Sequence, residues 1–511
     1  MIRMIKMIQI SKFVLPVACL LSICSCSISI IAIANGQLTS QDEYQCNYAQ
    51  NAEMYRDVGD LEELLAMQTL TDPPVIMEAT NLRGSKPYIF EGYLIRPIYF
   101  QGLPYRGNCT LVFGWLSTPV SGSSSVPGAV LLHGGGGTAL KKWNEQWALH
   151  GMASLSIGLE GQTDETKGLG YIKTPFPGPR RRHAYSDYVL PIQEQWMFHA
   201  VAQSMLATTL MRSLPFVNPD GVGVAGVSWG GAIASTLLSI DYERLAFAIP
   251  AYGCGSMVGS DSAIARQMHR YGAESYYNRV WDPTARLHRL FRSHVHVASI
   301  PPTLWISHPE EQSFPIERQK LTYETLQQHG AQTMVLLLKN LEHGHAAIMN
   351  RPESYAFVKA VMETRQAKLE KIMNNKNNIN NTPNNYYYSQ PLSSIKGDAY
   401  VQQIDHYAVP SIWVSNRETH TLLLRSRQPF KMAGLYYTCD SSNDPLYMKK
   451  FQSKPVSTIQ QESCDDEGYC LYSLVFSINL GDPCAFYVNL LTDQRMVVSS
   501  TLFFTNDPVQ I

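Results

Sequence analysis

Short apolar runs alternate with longer stretches of helical composition between residues 126 and 365. The apolar runs, which we predict to be strands, cover residues 129–132, 153–157, 221–225, 245–250, 303–306 and 333–338. The stretch 194–212 has helical composition and leads through a short connection into the third of these runs. Strands that alternate with helices are typical of a parallel sheet with helices on both faces, so this region is predicted to have an α/β fold.

The regions on either side of this core have different patterns. Residues 35–125 form an N-terminal extension, with a predicted helix at 60–68 and predicted strands at 88–100 and 110–116. Residues 366–392 become rich in Asn and Tyr, which is typical of a linker. Residues 393–511 contain no convincing helix but seven short predicted strands, at 411–414, 421–425, 433–438, 446–451, 470–478, 485–489 and 496–504. This pattern favours a small C-terminal β-sandwich of the immunoglobulin type.

Residues 1–34 are typical of a secretory signal peptide. Basic residues precede an apolar, acid-free run at 13–33, and Ala32-Ile33-Ala34 fits a cleavage site between small residues. The signal predicts a secreted, extracellular protein, which in a bacterium would be periplasmic or at the cell surface. If the segment were retained, it would be long enough to anchor the chain in a membrane.

The charge and composition of the chain limit the classes of binding partner that we expect. The net charge is −1 and only 16% of the residues are charged, so nothing favours nucleic acid or an anionic membrane surface as a partner. In an oxidising compartment the four C-terminal cysteines predict two disulfides whose pairing stays open: Cys439, Cys464, Cys470 and Cys484. Cys46 and Cys109 are a third candidate pair, which leaves Cys254 as a buried thiol. The pattern does not indicate an oligomeric state.

A candidate nucleophile follows the third predicted strand. Gly226-Val227-Ser228-Trp229-Gly230-Gly231 lies between this strand and a stretch of helical composition. A Gly-x-Ser-x-Gly turn between a strand and a helix is a nucleophile elbow, which holds a serine Oγ clear of the sheet on a strained backbone. Glycines are needed there because a Cβ would collide with neighbouring elements. Ser228 is therefore the predicted nucleophile.

The serine also needs donors for the developing oxyanion. His133-Gly134-Gly135-Gly136-Gly137 follows the first predicted strand. We predict that backbone N–H groups of this loop, at Gly135 and Gly136, bind the oxyanion together with the N–H of Trp229. A phosphate-binding loop is the alternative, but neither Gly-Lys-Ser/Thr nor a Gly-x-Gly-x-x-Gly pattern is present.

An acid and a base are expected later in the chain, in the order serine, acid, histidine. Glu311 follows the fifth predicted strand and is the preferred acid, with Glu310 as the alternative. His345 follows the last predicted strand and is the preferred base, with His343 as the alternative. The His-Gly-His sequence has no third clustered ligand, so we predict neither a metal nor an organic cofactor.

Taken together, these motifs resemble secreted, mostly bacterial α/β-hydrolases of the acetylxylan esterase and dienelactone hydrolase type, akin to the catalytic domain of prolyl oligopeptidases. The similarity runs from about residue 90 to 365, through the segments 132–139, 143–147, 196–202, 226–231, 249–255, 281–283 and 343–345, and the tail is similar at 435–438 and 497–500. The resemblance implies an α/β-hydrolase fold. It places Glu311 where the family tends to have aspartate. Tyr252 follows the fourth predicted strand, on the side where substrates bind in open α/β sheets, and is a substrate-pocket candidate; the resemblance adds Trp143 as a second one.

The sequence thus predicts a serine hydrolase that cleaves a carboxylic ester through an acyl-enzyme. The substrate class expected from the resemblance is a small ester or an acetylated carbohydrate such as acetylxylan. Two alternatives stay open. One is a peptidase of the prolyl oligopeptidase type, and the other is a secreted binding protein in which the hydrolase domain is inactive and the C-terminal sandwich binds the ligand.

Overall fold

A computed structural model describes most of the chain up to the linker and separate strands beyond it. The described residues are 30–31, 70–121, 125–293, 300–377, 411–416, 421–426, 430–439, 449, 451–455, 458–464, 470–475, 485–492, 497–499 and 503–504. The predicted helix at 60–68, nearly all of the predicted signal and the linker beyond residue 377 lie outside them. Cys46 and Cys484 also lie outside them, so the signal, the linker and the cysteine pairs stay predictions.

The α/β region contains thirteen strands and nine helices among the described residues. The strands are β1 (Ile30–Ile31), β2 (Ile76–Glu78), β3 (Tyr88–Phe90), β4 (Tyr93–Tyr105), β5 (Asn108–Pro119), β6 (Val126–Leu132), β7 (Ala153–Ile157), β8 (Gln162–Lys167), β9 (Gly170–Lys173), β10 (Val217–Val227), β11 (Ala248–Ala251), β12 (Thr303–Ser307) and β13 (Thr333–Leu337). The helices are α1 (Lys141–Leu149), α2 (Trp196–Ser213), α3 (Trp229–Ile240), α4 (Ala263–Tyr271), α5 (Glu274–Val280), α6 (Pro283–Arg292), α7 (Ile316–Gln328), α8 (His345–Met349) and α9 (Pro352–Asn377).

The central sheet confirms the predicted α/β fold. Its strands lie in the order β1-β2-β4-β5-β7-β6-β10-β11-β12-β13. The last six strands in this order are parallel to one another. Strands β4 and β5 form an antiparallel hairpin that joins β7 at one side. The predicted strand at 88–100 is interrupted by a turn at Glu91 and Gly92, which both have positive φ.

The core lies on both faces of this sheet. Alternate side chains of a strand point to opposite faces, and on β6 Val130 and Leu132 join one buried cluster while Ala129 and Leu131 join the other. Helices α2 and α3 cover the first face, and α1 and α9 cover the second. Strands buried on both faces explain why the sequence shows continuous apolar runs there rather than alternation.

The described parts of the C-terminal region are mainly strands, as predicted, but these strands do not all form a separate unit. They are β14 (Ser411–Asn416), β15 (Thr421–Ser426), β16 (Phe430–Thr438), β17 (Gln452–Pro455), β18 (Thr458–Cys464), β19 (Cys470–Val475), β20 (Ala485–Thr492), β21 (Val497–Ser499) and β22 (Phe503–Phe504). Four of them form a sheet in the order β14-β15-β19-β18. The others extend the central sheet, because β21 pairs with β13.

None of the helices in the described part of the chain is long and apolar enough to cross a membrane.

Candidate active site

The predicted site residues meet at one edge of the sheet. The carboxyl ends of parallel strands lie together, and in open α/β sheets this is where ligands bind. The glycine loop follows β6, Ser228 follows β10, and Tyr252 follows β11. The candidate acids follow β12, and both candidate bases follow β13. Five neighbouring strands therefore supply the whole set.

Ser228 stands on a strained turn between β10 and α3. Its φ is 58° and its ψ is −115°, a conformation that non-glycine residues rarely adopt. The Ser228 N–H donates to the carbonyl oxygen of Ala251 over 2.8 Å, which fixes the turn to β11. A Cβ on Gly230 would lie 2.1 Å from the carbonyl oxygen of Leu132, so only glycine allows the helix to start this close to β6.

The carboxylate of Glu311 is held at both oxygens. The Oε1 atom accepts hydrogen bonds from the N–H groups of Ser313 (2.7 Å) and Phe314 (3.1 Å). The Oε2 atom lies 2.6 Å from Nδ1 of His343 and 3.2 Å from Nε2 of His308. Burial alone would raise the pKa of Glu311, but the contacts with the two histidines lower it to about 2. Glu311 is therefore an anion at neutral pH.

Glu311 contacts His343, the alternative base, and not the preferred His345. The Nδ1 atom of His343 is bound to the carboxylate, and its ring stacks on Tyr252 with centroids 4.6 Å apart. A carboxylate at Nδ1 sets the tautomer and orientation of an imidazole and leaves Nε2 to accept a proton. The structure thus joins the candidate acid to His343, whereas His345 lies beside Gly134, whose added Cβ would come within 3.2 Å of the Cβ of Ser228.

His345 contacts the glycine loop instead. Its Nε2 accepts a hydrogen bond from the N–H of Gly134 over 2.8 Å. An imidazole nitrogen that accepts such a bond carries no proton, and burial, together with His343, lowers the pKa of His345. With Nε2 engaged by the backbone, His345 in this arrangement is a link between the loop after β13 and the loop after β6.

The predicted oxyanion donors differ in what they contact. The N–H of Gly136 donates to Oε1 of Glu160 over 2.7 Å, so it is not available to a substrate oxygen. In the described residues, the N–H of Gly135 contacts no acceptor. Trp229 is the first residue of α3, where the helix leaves an N–H without a partner of its own. Gly135 and Trp229 are therefore the two donors that the geometry leaves for an oxyanion.

His133 fixes the start of the same loop. Its Nε2 accepts from the N–H of Leu159 over 2.8 Å, and its Nδ1 lies 2.6 Å from the carbonyl oxygen of Gly134. Complete burial lowers the pKa of His133 to about 3, so the ring is neutral, with the proton on Nδ1. This places His133 in a structural role.

The two pocket candidates lie in the interior. Tyr252 has no exposed surface, supports the ring of His343 and donates its hydroxyl to the carbonyl oxygen of Glu342 over 2.8 Å. Trp143 is 2% exposed and packs with Trp147 in the cluster beneath α1. That either residue contacts a substrate stays a prediction.

Sequence reasoning missed two residues of the site, Glu160 and His308. Glu160 is buried and binds Arg181 in addition to Gly136, with 3.3 Å between Oε1 and Nε of the arginine. The Arg181 guanidinium lies 5.2 Å from the ring centroid of Trp229. The second residue that sequence reasoning missed is His308, which lies beside Glu311. Only its place directly between β12 and the acid could have indicated it.

Comparison with known proteins agrees with the fold. Residues 185–365 match the model of the prolyl oligopeptidase family, a segment that includes Ser228, Glu311 and both histidines. Among curated proteins, none matches the sequence at a significant level.

Solved structures give a more distant likeness. An acetyl xylan esterase from Paenibacillus sp. R4 is 17% identical with a TM-score of 0.44, and the match covers 61% of this chain and 98% of that one. Acetyl xylan esterase 1 from Thermoanaerobacterium sp. JW/SL YS485 is 15% identical with a TM-score of 0.40 over the same shares. An acylaminoacyl peptidase from Pyrococcus horikoshii is 17% identical with a TM-score of 0.37, over 49% of this chain and 38% of that one.

Proposed function

We propose that the protein is a serine hydrolase that cleaves carboxylic esters through a triad of Ser228, His343 and Glu311. The single observation that carries this proposal is the 2.6 Å contact between Oε2 of Glu311 and Nδ1 of His343. His343 lies on the loop after β13, whose His345 binds Gly134, and a Cβ on Gly134 would lie 3.2 Å from the Cβ of Ser228. A buried anion at Nδ1 stabilises the imidazolium that forms when the base takes the serine proton.

The reaction follows from these roles. The Oγ of Ser228 attacks the acyl carbon as its proton moves to Nε2 of His343. The N–H groups of Gly135 and Trp229 stabilise the negative charge on the former carbonyl oxygen. Collapse of the tetrahedral intermediate breaks the bond to the alcohol, which takes the proton from His343. Water then attacks the acyl-enzyme by the same route and restores the serine.

An acetylated carbohydrate or another small ester is the substrate class that we propose. The resemblance in sequence to acetylxylan esterases supports it. A peptidase activity is the second candidate, which the match of residues 185–365 to the prolyl oligopeptidase family favours. The secretory signal predicted at residues 1–34 supports an extracellular place of action.

The first test is covalent labelling with a fluorophosphonate, which reacts with activated serines. We expect the wild-type protein to be labelled and Ser228→Ala not to be. His343→Ala should slow labelling by about four to six orders of magnitude, as loss of a triad member does. His345→Ala, its matched control two residues away, should slow it by about tenfold or less. The reverse order of the two histidine variants would overturn the triad proposed here.

The second test separates the substrates. Hydrolysis of p-nitrophenyl acetate without hydrolysis of Gly-Pro anilides supports the esterase. The opposite result supports the peptidase. A folded wild-type protein that resists the fluorophosphonate and hydrolyses neither compound would contradict both and favour a binding protein.

A further inference from the structure

The acid of the site is a glutamate, and its side chain has to be held in place. Glutamate has one more rotatable bond than aspartate, so a fixed carboxylate costs more conformational entropy. The backbone N–H groups of Ser313 and Phe314 fix one oxygen of Glu311, and the other oxygen, Oε2, contacts Nδ1 of His343 over 2.6 Å. The Nε2 atom of His308 lies 3.2 Å from the same oxygen, at ion-pair distance and outside hydrogen-bond geometry.

His308 lies between two carboxylates. Its Nδ1 is 3.5 Å from Oε2 of Glu310, and its Nε2 is the atom near Glu311. A neutral imidazole has one nitrogen without a proton, and a carboxylate beside that nitrogen would be repelled. Because both ring nitrogens of His308 face carboxylate oxygens, the arrangement fits the imidazolium. Burial would lower the pKa of His308, but the two glutamates raise it to about 9.

The surroundings of the His308 ring contain few other ionisable groups. Its ring packs edge-on against Tyr252, with centroids 5.6 Å apart, and Tyr252 in turn stacks on His343. The groups that face His308 are thus Glu310 and Glu311 from its own loop and Tyr252 from the loop after β11. His343 lies on the other side of the Glu311 carboxylate.

We propose that His308 is a positioning residue for the triad, whose positive charge holds the Glu311 carboxylate in place against Nδ1 of His343. This proposal rests on the proposed function. In this arrangement one carboxylate oxygen serves two histidines with different tasks. His343 exchanges a proton in each half-reaction, and His308 keeps its proton throughout.

The charge also has a consequence for the pH dependence of the reaction. A fixed positive charge near the triad makes it harder for the base to take up a proton. Removing that charge should therefore move the acid limb of the pH–rate profile to higher pH. A residue that only filled space would lower the rate without moving the limb. The pH profile thus distinguishes the proposed role from simple packing.

The kinetic test compares fluorophosphonate labelling rates of the wild type and His308→Gln from pH 5 to pH 9. We expect the plateau rate of the variant to fall about tenfold and its acid limb to move up by about one pH unit. His150→Gln is the matched control, because His150 also packs on an aromatic ring, that of Tyr355, but has no carboxylate beside it. It should match the wild type. An unmoved acid limb in folded His308→Gln overturns the proposal.

A second measurement needs neither activity nor the variant's stability. The imidazole nitrogen resonances of His308 in the wild type should show an imidazolium at pH 7.5, and a neutral ring there would overturn the proposal. If the wild type is not labelled but His308 is an imidazolium, the proposed function fails while the ion pair with Glu311 stands. The two failures are therefore distinguishable.

Discussion

Ser228, Glu311 and His343 show how much chemistry depends on the local path of the backbone. The left-handed φ of Ser228 and the two backbone hydrogen bonds to Glu311 fix these side chains before any substrate arrives. Preorganised groups of this kind need no reorganisation at the moment of reaction. The two histidines on the base loop are only two positions apart, yet one contacts the acid and the other contacts the glycine loop.

The sequence predicts the serine, the acid and the loop of the base, and the contact with Glu311 is what favours His343 over His345 in our proposal. Motif and strand order place Ser228 and Glu311, because each follows a strand end directly. The choice between His343 and His345 depends on the turn after β13, where Asn340 has a φ of 62°, and on the stacking of His343 on Tyr252. Neither is visible in a run of residue types.

The ion pair between His308 and Glu311 predicts a pH dependence of stability. The pKa of His308 is raised to about 9, so its contribution is complete below its ordinary value of 6.5 and is lost as the pH rises toward 9. The pKa of Glu311 is lowered to about 2, so its contribution is complete above its ordinary value of 4.5 and is lost as the pH falls toward 2. The stability difference between the wild type and His308→Gln should thus be largest between pH 4.5 and 6.5.

Urea unfolding at a series of pH values measures this difference. We expect it to shrink steadily from pH 6.5 to pH 9. A difference that is constant over that interval would mean that His308 stabilises the protein by packing rather than by charge.

At the level of elements, strand positions were easier to predict than strand ends. The strand at 153–157 was predicted to the residue, whereas β10 extends several residues beyond the predicted 221–225 on its N-terminal side. Burial on both faces makes a central strand visible as an apolar run. Polar residues that pair with neighbouring strands at the ends of a strand do not form an apolar run, so the strand ends cannot be recognised in this way. In the C-terminal region, β18 was missed because its side chains are largely polar.

Because α3 approaches β6 closely at Gly230, adding a single methyl group there should strongly lower the stability of the protein. Gly230→Ala would place a Cβ 2.1 Å from a backbone oxygen that cannot move without shifting β6. We expect a loss of about 3 kcal/mol or more in the free energy of unfolding, at the upper end of overpacking effects, or failure to fold. Gly170→Ala is the control, since nothing lies within 4 Å of its Cβ.

Thermal unfolding followed by circular dichroism compares the two glycine variants. The control should melt with the wild type. A Gly230→Ala protein that melts at the wild-type temperature would show that the elbow helix does not sit as close to β6 as described.

At the scale of the whole molecule, the C-terminal strands support the loop that carries the base. The N–H of Leu337 donates to Oγ of Ser499 over 2.9 Å, and Nδ2 of Asn489 donates to the carbonyl oxygen of Leu337 over 3.0 Å. The Ser499 hydroxyl also donates to Oδ1 of Asn489 over 2.6 Å. Leu337 is the last residue of β13, six positions before His343. The C-terminal strands thus help to hold the candidate site in place. The sequence pattern had indicated only a separate β-sandwich for them.

Asn489→Ala tests this connection. Loss of the amide removes the 3.0 Å donor of the Leu337 carbonyl oxygen and leaves it only the longer 3.4 Å contact with the Ser499 hydroxyl. This costs about 1 kcal/mol and should loosen the segment 333–345. Hydrogen exchange of peptides from that segment should become faster, and fluorophosphonate labelling slower. Asn350→Ala is the control, because Asn350 donates to a carbonyl within its own helical turn. Unchanged exchange in residues 333–345 of Asn489→Ala would separate the C-terminal strands from the site.

The pairing of β21 with β13 also has a consequence for biosynthesis. The two contacting residues, Leu337 and Ser499, are 162 positions apart. A ribosome that adds about 5–20 residues per second needs roughly 8–30 s to cover that distance. For this time the nascent sheet has an open edge, a template on which foreign strands can pair. Closing this edge is therefore a late event in folding, which can follow only after β21 has been synthesised.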